Sequence, residues 1–153
     1  QAVDRIAREI GPVDILFANA GIQHREALLD FPQAEFERVI AFNLTAQWAI
    51  ARQVARTMAE RGWGRILHVA SLQSVRSFNN GGAYGVSKAG VAQLTRALAE
   101  AWSARGVNVN AIAPGWIATE ISRGGRENPE FNNKLLGRLP NKRWAEPEEL
   151  AGT

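Results

Sequence analysis

Three short apolar runs, separated by two long amphipathic stretches, constrain this chain more than any other feature. Residues 13–18 (V-D-I-L-F-A), 65–70 (R-I-L-H-V-A) and 107–113 (V-N-V-N-A-I-A) are short and bounded by glycine or proline. Near-continuous apolar runs of this length fit strands of a parallel sheet, covered on both faces. Between the first two, residues 33–60 space Phe36, Val39, Ile40, Leu44, Trp48, Val54 and Met58 along a helix, with Pro32 where the first turn should begin. Residues 83–104 form a second helical stretch, rich in alanine and other small side chains, and Gly106 caps its end. Strand, helix, strand, helix, strand predicts an α/β protein with a parallel sheet and right-handed crossovers.

The remaining elements are smaller. Residues 1–10 read as the tail of an amphipathic helix, with Val3, Ile6, Ala7 and Ile10 on one side, stopped by Gly11-Pro12. Residues 22–31 form a loop with a polar cluster at His24, Arg25 and Glu26. A helix is expected near 128–137, and another begins at Pro147. A first helix without a capping start, and a last one that stops soon after it begins, suggest an internal piece of a longer chain. The 153 residues are expected to form a single partial domain.

Composition narrows the chemistry. With no cysteine there is no disulfide, thiolate metal site or cysteine nucleophile, and the isolated His24 and His68 lack metal-ligand spacing. No metal is expected. The net charge of +3 comes almost wholly from arginines scattered near acidic residues, so no nucleic-acid partner is expected. No apolar run reaches membrane-spanning length, and no signal-peptide pattern is present, which fits a cytoplasmic protein.

In parallel α/β sheets ligands sit beyond the carboxyl ends of the strands. Asn19, Ser71 and Pro114 each follow an expected strand, so three loops converge on one edge. Tyr84 and Lys88 are four residues apart near the start of the helix leaving the second loop, on one helical face. A phenol, an ammonium and the Ser71 hydroxyl can therefore meet. A free phenol titrates near ~10 and is a poor base at neutral pH. A nearby lysine favours the phenolate, which suits it to proton transfer to or from an alcohol or ketone oxygen. The competing reading is a lysine snorkelling beside a surface aromatic.

In these residues the chain resembles the short-chain dehydrogenase/reductase family. Ala18-Asn19-Ala20-Gly21 is similar to its Asn-Asn-Ala-Gly turn, with Ala18 in place of the first asparagine. Asn43, Ser71, Tyr84 and Lys88 match its catalytic tetrad, and residues 114–119 (P-G-W-I-A-T) its P-G-x-x-x-T segment. The resemblance implies a Rossmann-like, doubly wound parallel sheet, of which this chain holds the central-to-C-terminal part. It implies an NAD(P)-dependent oxidoreductase interconverting a secondary alcohol and a ketone. Tyr84 would be the acid–base, Lys88 would lower its pKa and hold the nicotinamide ribose, and Ser71 would orient the reacting oxygen. Asn43 would hold a water through its backbone at a distortion of the long helix. Asn19, Ala20, Gly21, Tyr84, Lys88, Pro114, Gly115, Ile117 and Thr119 would line the cofactor. The glycine-rich phosphate loop and the residue that chooses NAD or NADP belong upstream of residue 1.

Within the family, G-I-Q-H-R at 21–25 and L-P-N-K-R-W-A-E-P-E-E-L-A-G-T at 139–153 resemble gluconate 5-dehydrogenases and their deoxygluconate relatives. Arg25 would then bind the substrate carboxylate alongside Ser71 and Tyr84, or else pair with a neighbour such as Glu26. Acyl-carrier-protein ketoreductases share most of these signatures, and a catalytically silent relative would share them too. The family also implies a homodimer or homotetramer packed through the two long helices. Alone, the piece would leave one sheet edge and one sheet face bare.

Overall fold

In the computed structural model, which describes residues 2–152, three strands form one parallel sheet in the order β1-β2-β3. They are β1 (Ile15–Ala18), β2 (Gly64–Val69) and β3 (Val107–Ile112). Ile15 lies opposite Arg65, and Gly64 opposite Val107. Before β1 lies α1 (Ala2–Glu9); between the strands lie α2 (Gln33–Ile40), α3 (Ala46–Arg61) and α4 (Gly82–Trp102). The sheet and these helices fall in the first of two compact units, Gln1–Ala113, and the second is Pro114–Thr153. Among the described residues no helix is long and apolar enough to cross a membrane.

The expected helix over 33–60 is interrupted. Ala41–Thr45 forms one π-helical turn between α2 and α3. The wider turn carries one more residue than an α-turn, a device that often accompanies functional sites. Here it holds Asn43, which is completely buried.

One face of the sheet is covered by α3 and α4. Ala51, Val54, Ala55 and Met58 from α3 and Leu98 from α4 pack on Ile66, Val107 and Val109 from the strands. Along α4 the buried residues Ala83, Ser87, Val91, Thr95 and Leu98 recur at helical spacing and form one inward stripe. The other face carries Ile15 and Phe17, 65% and 54% exposed, where the apolar runs alone predict a covered face.

In the second unit a short helix, α5 (Arg123–Glu127), precedes α6 (Pro129–Arg138), which Asn128 caps by accepting from the Phe131 N–H at 3.0 Å. The helix expected from Pro147 is only a 3₁₀ turn, Pro147–Leu150: Ala151 is extended and Gly152 has φ 90°. Trp116 meets Trp144 and Phe131 edge-on, with centroids 5.4 and 6.0 Å away. Ile117 pairs with Ala145 in an isolated parallel bridge.

The turns leaving α3 and α4 stack at the amino end of the sheet. Gly62 (φ 72°) and Gly106 (φ 77°) are both left-handed, and a Cβ on Gly106 would collide with the Gly62 carbonyl oxygen. Replacing Gly106 with alanine adds backbone strain to a clash with main chain that cannot swing away. We expect a loss of about 2–4 kcal/mol of stability in urea unfolding. A loss under about 0.5 kcal/mol would show that the two turns can part freely.

Candidate active site

The first anchor of the site is Asn43. Its Nδ2 donates to the Ile22 carbonyl at 2.8 Å and to Ser87 Oγ at 3.0 Å, while its Oδ1 accepts from the Ile22 N–H at 2.9 Å. Ser87 Oγ donates to the Tyr84 carbonyl at 2.7 Å. One helical turn beyond Asn43, Gln47 Nε2 donates to the Ala20 carbonyl at 3.0 Å. The loop after β1 is thus pinned by its backbone at Ala20 and Ile22, and the same amide reaches the helix that carries Tyr84.

Ser71 directly follows β2. Its hydroxyl caps a 3₁₀ turn, Leu72–Ser74, by accepting from the Gln73 N–H at 3.1 Å, and it also shares a hydrogen bond with Tyr84. Ser74 Oγ donates to the Lys88 carbonyl at 2.8 Å, which ties this turn to α4. Lys88 is 4% exposed, so it is not a snorkelling surface lysine. Its Nζ donates to the Val69 carbonyl at 2.6 Å and lies 5.7 Å from the centre of the Tyr84 ring. A Cβ on Gly21 would lie 3.6 Å from both Lys88 Nζ and Asn43 Oδ1. Asn19-Ala20-Gly21, Asn43, Ser71, Tyr84 and Lys88 therefore gather at the carboxyl ends of β1 and β2.

The electrostatics correct one expectation. Burial raises the Tyr84 phenol above its usual pKa; the Ser71 hydrogen bond and the Arg25 charge pull it back only in part. The Lys88 ammonium donates to the Val69 carbonyl, and burial holds Lys88 itself down at about 8. Desolvation is the largest cause of both shifts.

Arg25 is exposed in the loop after β1, and its Nε donates to Gln23 Oε1 at 3.3 Å. His24 Nε2 lies 3.0 Å from Glu26 Oε2. His68 is wholly buried on β2 with Nδ1 3.0 Å from Thr95 Oγ1. The Thr95 hydroxyl gives its proton to the Val91 carbonyl, so His68 Nδ1 must be the donor. Burial, then the Lys88 charge, lower the His68 pKa and keep it neutral. Pro114, Gly115, Ile117 and Thr119 belong to the second unit, where the Thr119 N–H donates to Ser122 Oγ at 3.0 Å.

Three comparisons place this geometry among known proteins. A family model described as enoyl-(acyl carrier protein) reductase matches residues 1–153. The 5-keto-D-gluconate 5-reductase of Escherichia coli is 38% identical over 151 residues, 99% of this chain and 59% of that protein. The 2-dehydro-3-deoxy-D-gluconate 5-dehydrogenase of Formosa agariphila is 36% identical over 152 residues, 99% of this chain and 58% of that protein. The chain belongs to the short-chain dehydrogenase/reductase family. A crystal structure of a gluconate 5-dehydrogenase from Burkholderia cenocepacia, in complex with NADP and tartrate, superposes with a TM-score of 0.96 at 34% identity. It covers 99% of this chain and 59% of that one. The chain thus spans about three-fifths of the length of these family members.

Two inward-facing polar residues of this family member lie outside the sequence motifs. Ser87 falls three residues after Tyr84 on the inward stripe of α4, and Gln47 four after Asn43. A polar residue on an otherwise apolar helix face was the available signal for both. The donor set fits a nicotinamide dinucleotide. Lys88 Nζ spends one of its three N–H groups on Val69 and keeps two for ribose hydroxyls, beside a Gly21 that leaves room for close approach.

Lys88 makes a pH test. Its pKa is about 8 folded against 10.5 unfolded. Between these values the unfolded chain binds more protons, so stability rises with pH. Below pH 8 the full penalty of the buried charge remains. The rise should reach on the order of 3 kcal/mol for the wild type and be absent in Lys88→Met. Tyr84, raised above 10, acts oppositely only above pH 10. Urea unfolding at pH 7–10 reads the difference, and equal slopes in the two proteins would refute a charged, buried Lys88.

Proposed function

We propose that this chain is the catalytic part of an NAD(P)-dependent oxidoreductase that interconverts a secondary alcohol and a ketone, with a sugar acid as substrate. The observation that carries the reading is the half-buried Tyr84 phenol, hydrogen-bonded to Ser71 and set beside a buried Lys88. A nicotinamide dinucleotide, when bound, supplies or accepts the hydride. Lys88, Asn19, Ala20, Gly21, Pro114, Gly115, Ile117 and Thr119 would hold it. Ser71 holds the substrate oxygen, and Tyr84 moves the proton to or from it. Because burial keeps the phenol protonated at neutral pH, Tyr84 is poised to donate, the role needed in ketone reduction.

A sugar acid is favoured by Arg25, whose charge reaches Tyr84 from the loop after β1. A guanidinium pairs with a carboxylate through two parallel hydrogen bonds. The names of the relatives support the same substrate class. The two long helices also present Phe42, Trp48, Ile50 and Val86 to solvent, which supports a second copy packed there. Light scattering on the intact protein should find a dimer or tetramer; a strict monomer would refute the interface.

Nicotinamide absorbance assays on the intact protein test the activity, with NAD and NADP, against sugar acids, neutral polyols and an acyl thioester. Tyr84→Phe should abolish turnover while leaving the melting temperature nearly unchanged; activity within tenfold of wild type would refute the acid–base role. Arg25→Ala should lower kcat/KM for gluconate-like substrates by roughly 1.5–3 kcal/mol and spare neutral polyols. Preference for the thioester would favour the acyl reductase reading. Failure of every substrate with both cofactors would mark a silent relative.

A further inference from the structure

The loop that carries Arg25 is fastened at three places. At its start Asn43 clamps Ile22 through two backbone bonds. Further along, the end of the Leu28 side chain lies against Gly82, at the start of α4. Between these two lies His24. Its Nε2 is 3.0 Å from Glu26 Oε2 in the same loop, and its Nδ1 is 3.5 Å from Glu35 Oε2 on α2. Glu35 is held in turn by Arg38, whose Nη2 donates to the same oxygen at 2.6 Å. The imidazole meets Phe31 edge-on at 5.3 Å, and Phe31 meets Phe36 of α2 at 6.4 Å. His24 thus reaches across from the loop to the helix, through both ring nitrogens and through its ring edge, one residue before Arg25.

We propose that His24 is a positioning residue: its bridge from Glu26 to Glu35 holds the loop on α2 and so fixes where Arg25 meets a substrate carboxylate. The inference rests on the carboxylate reading of Arg25 given above. Its chemistry is specific. One ring nitrogen faces a carboxylate of the loop and the other a carboxylate of α2, so the ring ties the two elements together. The groups that face it are Glu26 and Glu35, with Arg38 behind Glu35 and Arg25 next in the chain.

The test reads selectivity, the ratio of kcat/KM for gluconate to that for a neutral polyol, in the intact protein. His24→Leu should lower the ratio about tenfold, mostly through KM, since a charged hydrogen bond is displaced rather than deleted. His24→Gln should recover part of it, because its amide can donate to one carboxylate. In an Arg25→Ala background His24→Leu should change nothing further, as expected of two residues acting in series. An unchanged ratio in Arg25→Ala would overturn the carboxylate reading itself. A changed ratio there, with His24→Leu at the wild-type ratio, would overturn only the positioning role, as would equal losses on charged and neutral substrates. Should His24→Leu fail to fold, Glu35→Gln carries the same test from the helix side, with a loss of about threefold expected.

Discussion

The carboxyl edge of the sheet depends on one buried amide. Asn43 places three of its four hydrogen-bonding positions, two on the Ile22 backbone and one on Ser87. A buried amide without partners would cost several kcal/mol, so these bonds are a requirement of burial as much as a gain. They join the loop after β1, the long helical stretch and α4 at one point. The amide reaches that point because the helix widens into a π-helical turn at Ala41–Thr45. From there Ser87 passes the connection to the Tyr84 carbonyl. Loop and catalytic helix are thereby set relative to one another by hydrogen bonds rather than by apolar packing alone, and hydrogen bonds have direction.

Around this anchor the fold places groups at a cost. Lys88 is buried and Tyr84 half-buried, with pKa shifts in the directions desolvation dictates. Neither is settled by the other: Lys88 gives its hydrogen bond to the Val69 carbonyl and Tyr84 shares one with Ser71. His68 is kept neutral beneath them, bonded to a threonine and facing the Lys88 charge. Groups shifted by burial and clustered at a strand edge are the kind of feature from which the proposed function is read. The apolar core of α3, α4, β2 and β3 supplies the stability that makes the arrangement tolerable.

The loop of the proposed carboxylate contact has a different support. The loop bearing Arg25 has little regular structure, yet its backbone is pinned at Ala20 and Ile22 and its side chains at His24 and Leu28. If Arg25 is the carboxylate contact, as proposed, recognition and proton transfer would stand on separate supports.

The sequence by itself determined the order of strands and helices, since short apolar runs and 3.6-residue periodicity are local signals. It also marked Ser71, Tyr84 and Lys88, because a strand end and a four-residue helical spacing fix which residues can meet. It placed the end of α4 at a left-handed glycine. What it did not determine was the partition of hydrogen bonds. The spacing that joins Tyr84 to Lys88 says nothing of Val69, whose carbonyl lies nineteen residues away in sequence and takes the ammonium. It likewise missed Ser87 and Gln47, polar residues hidden on inward helix faces. Nor did it show that His24 meets both Glu26 and Glu35, or that the helix from Pro147 stops after one turn. Each of these was decided by the tertiary structure, because burial and long-range bonding depend on which groups the whole chain brings within three ångströms.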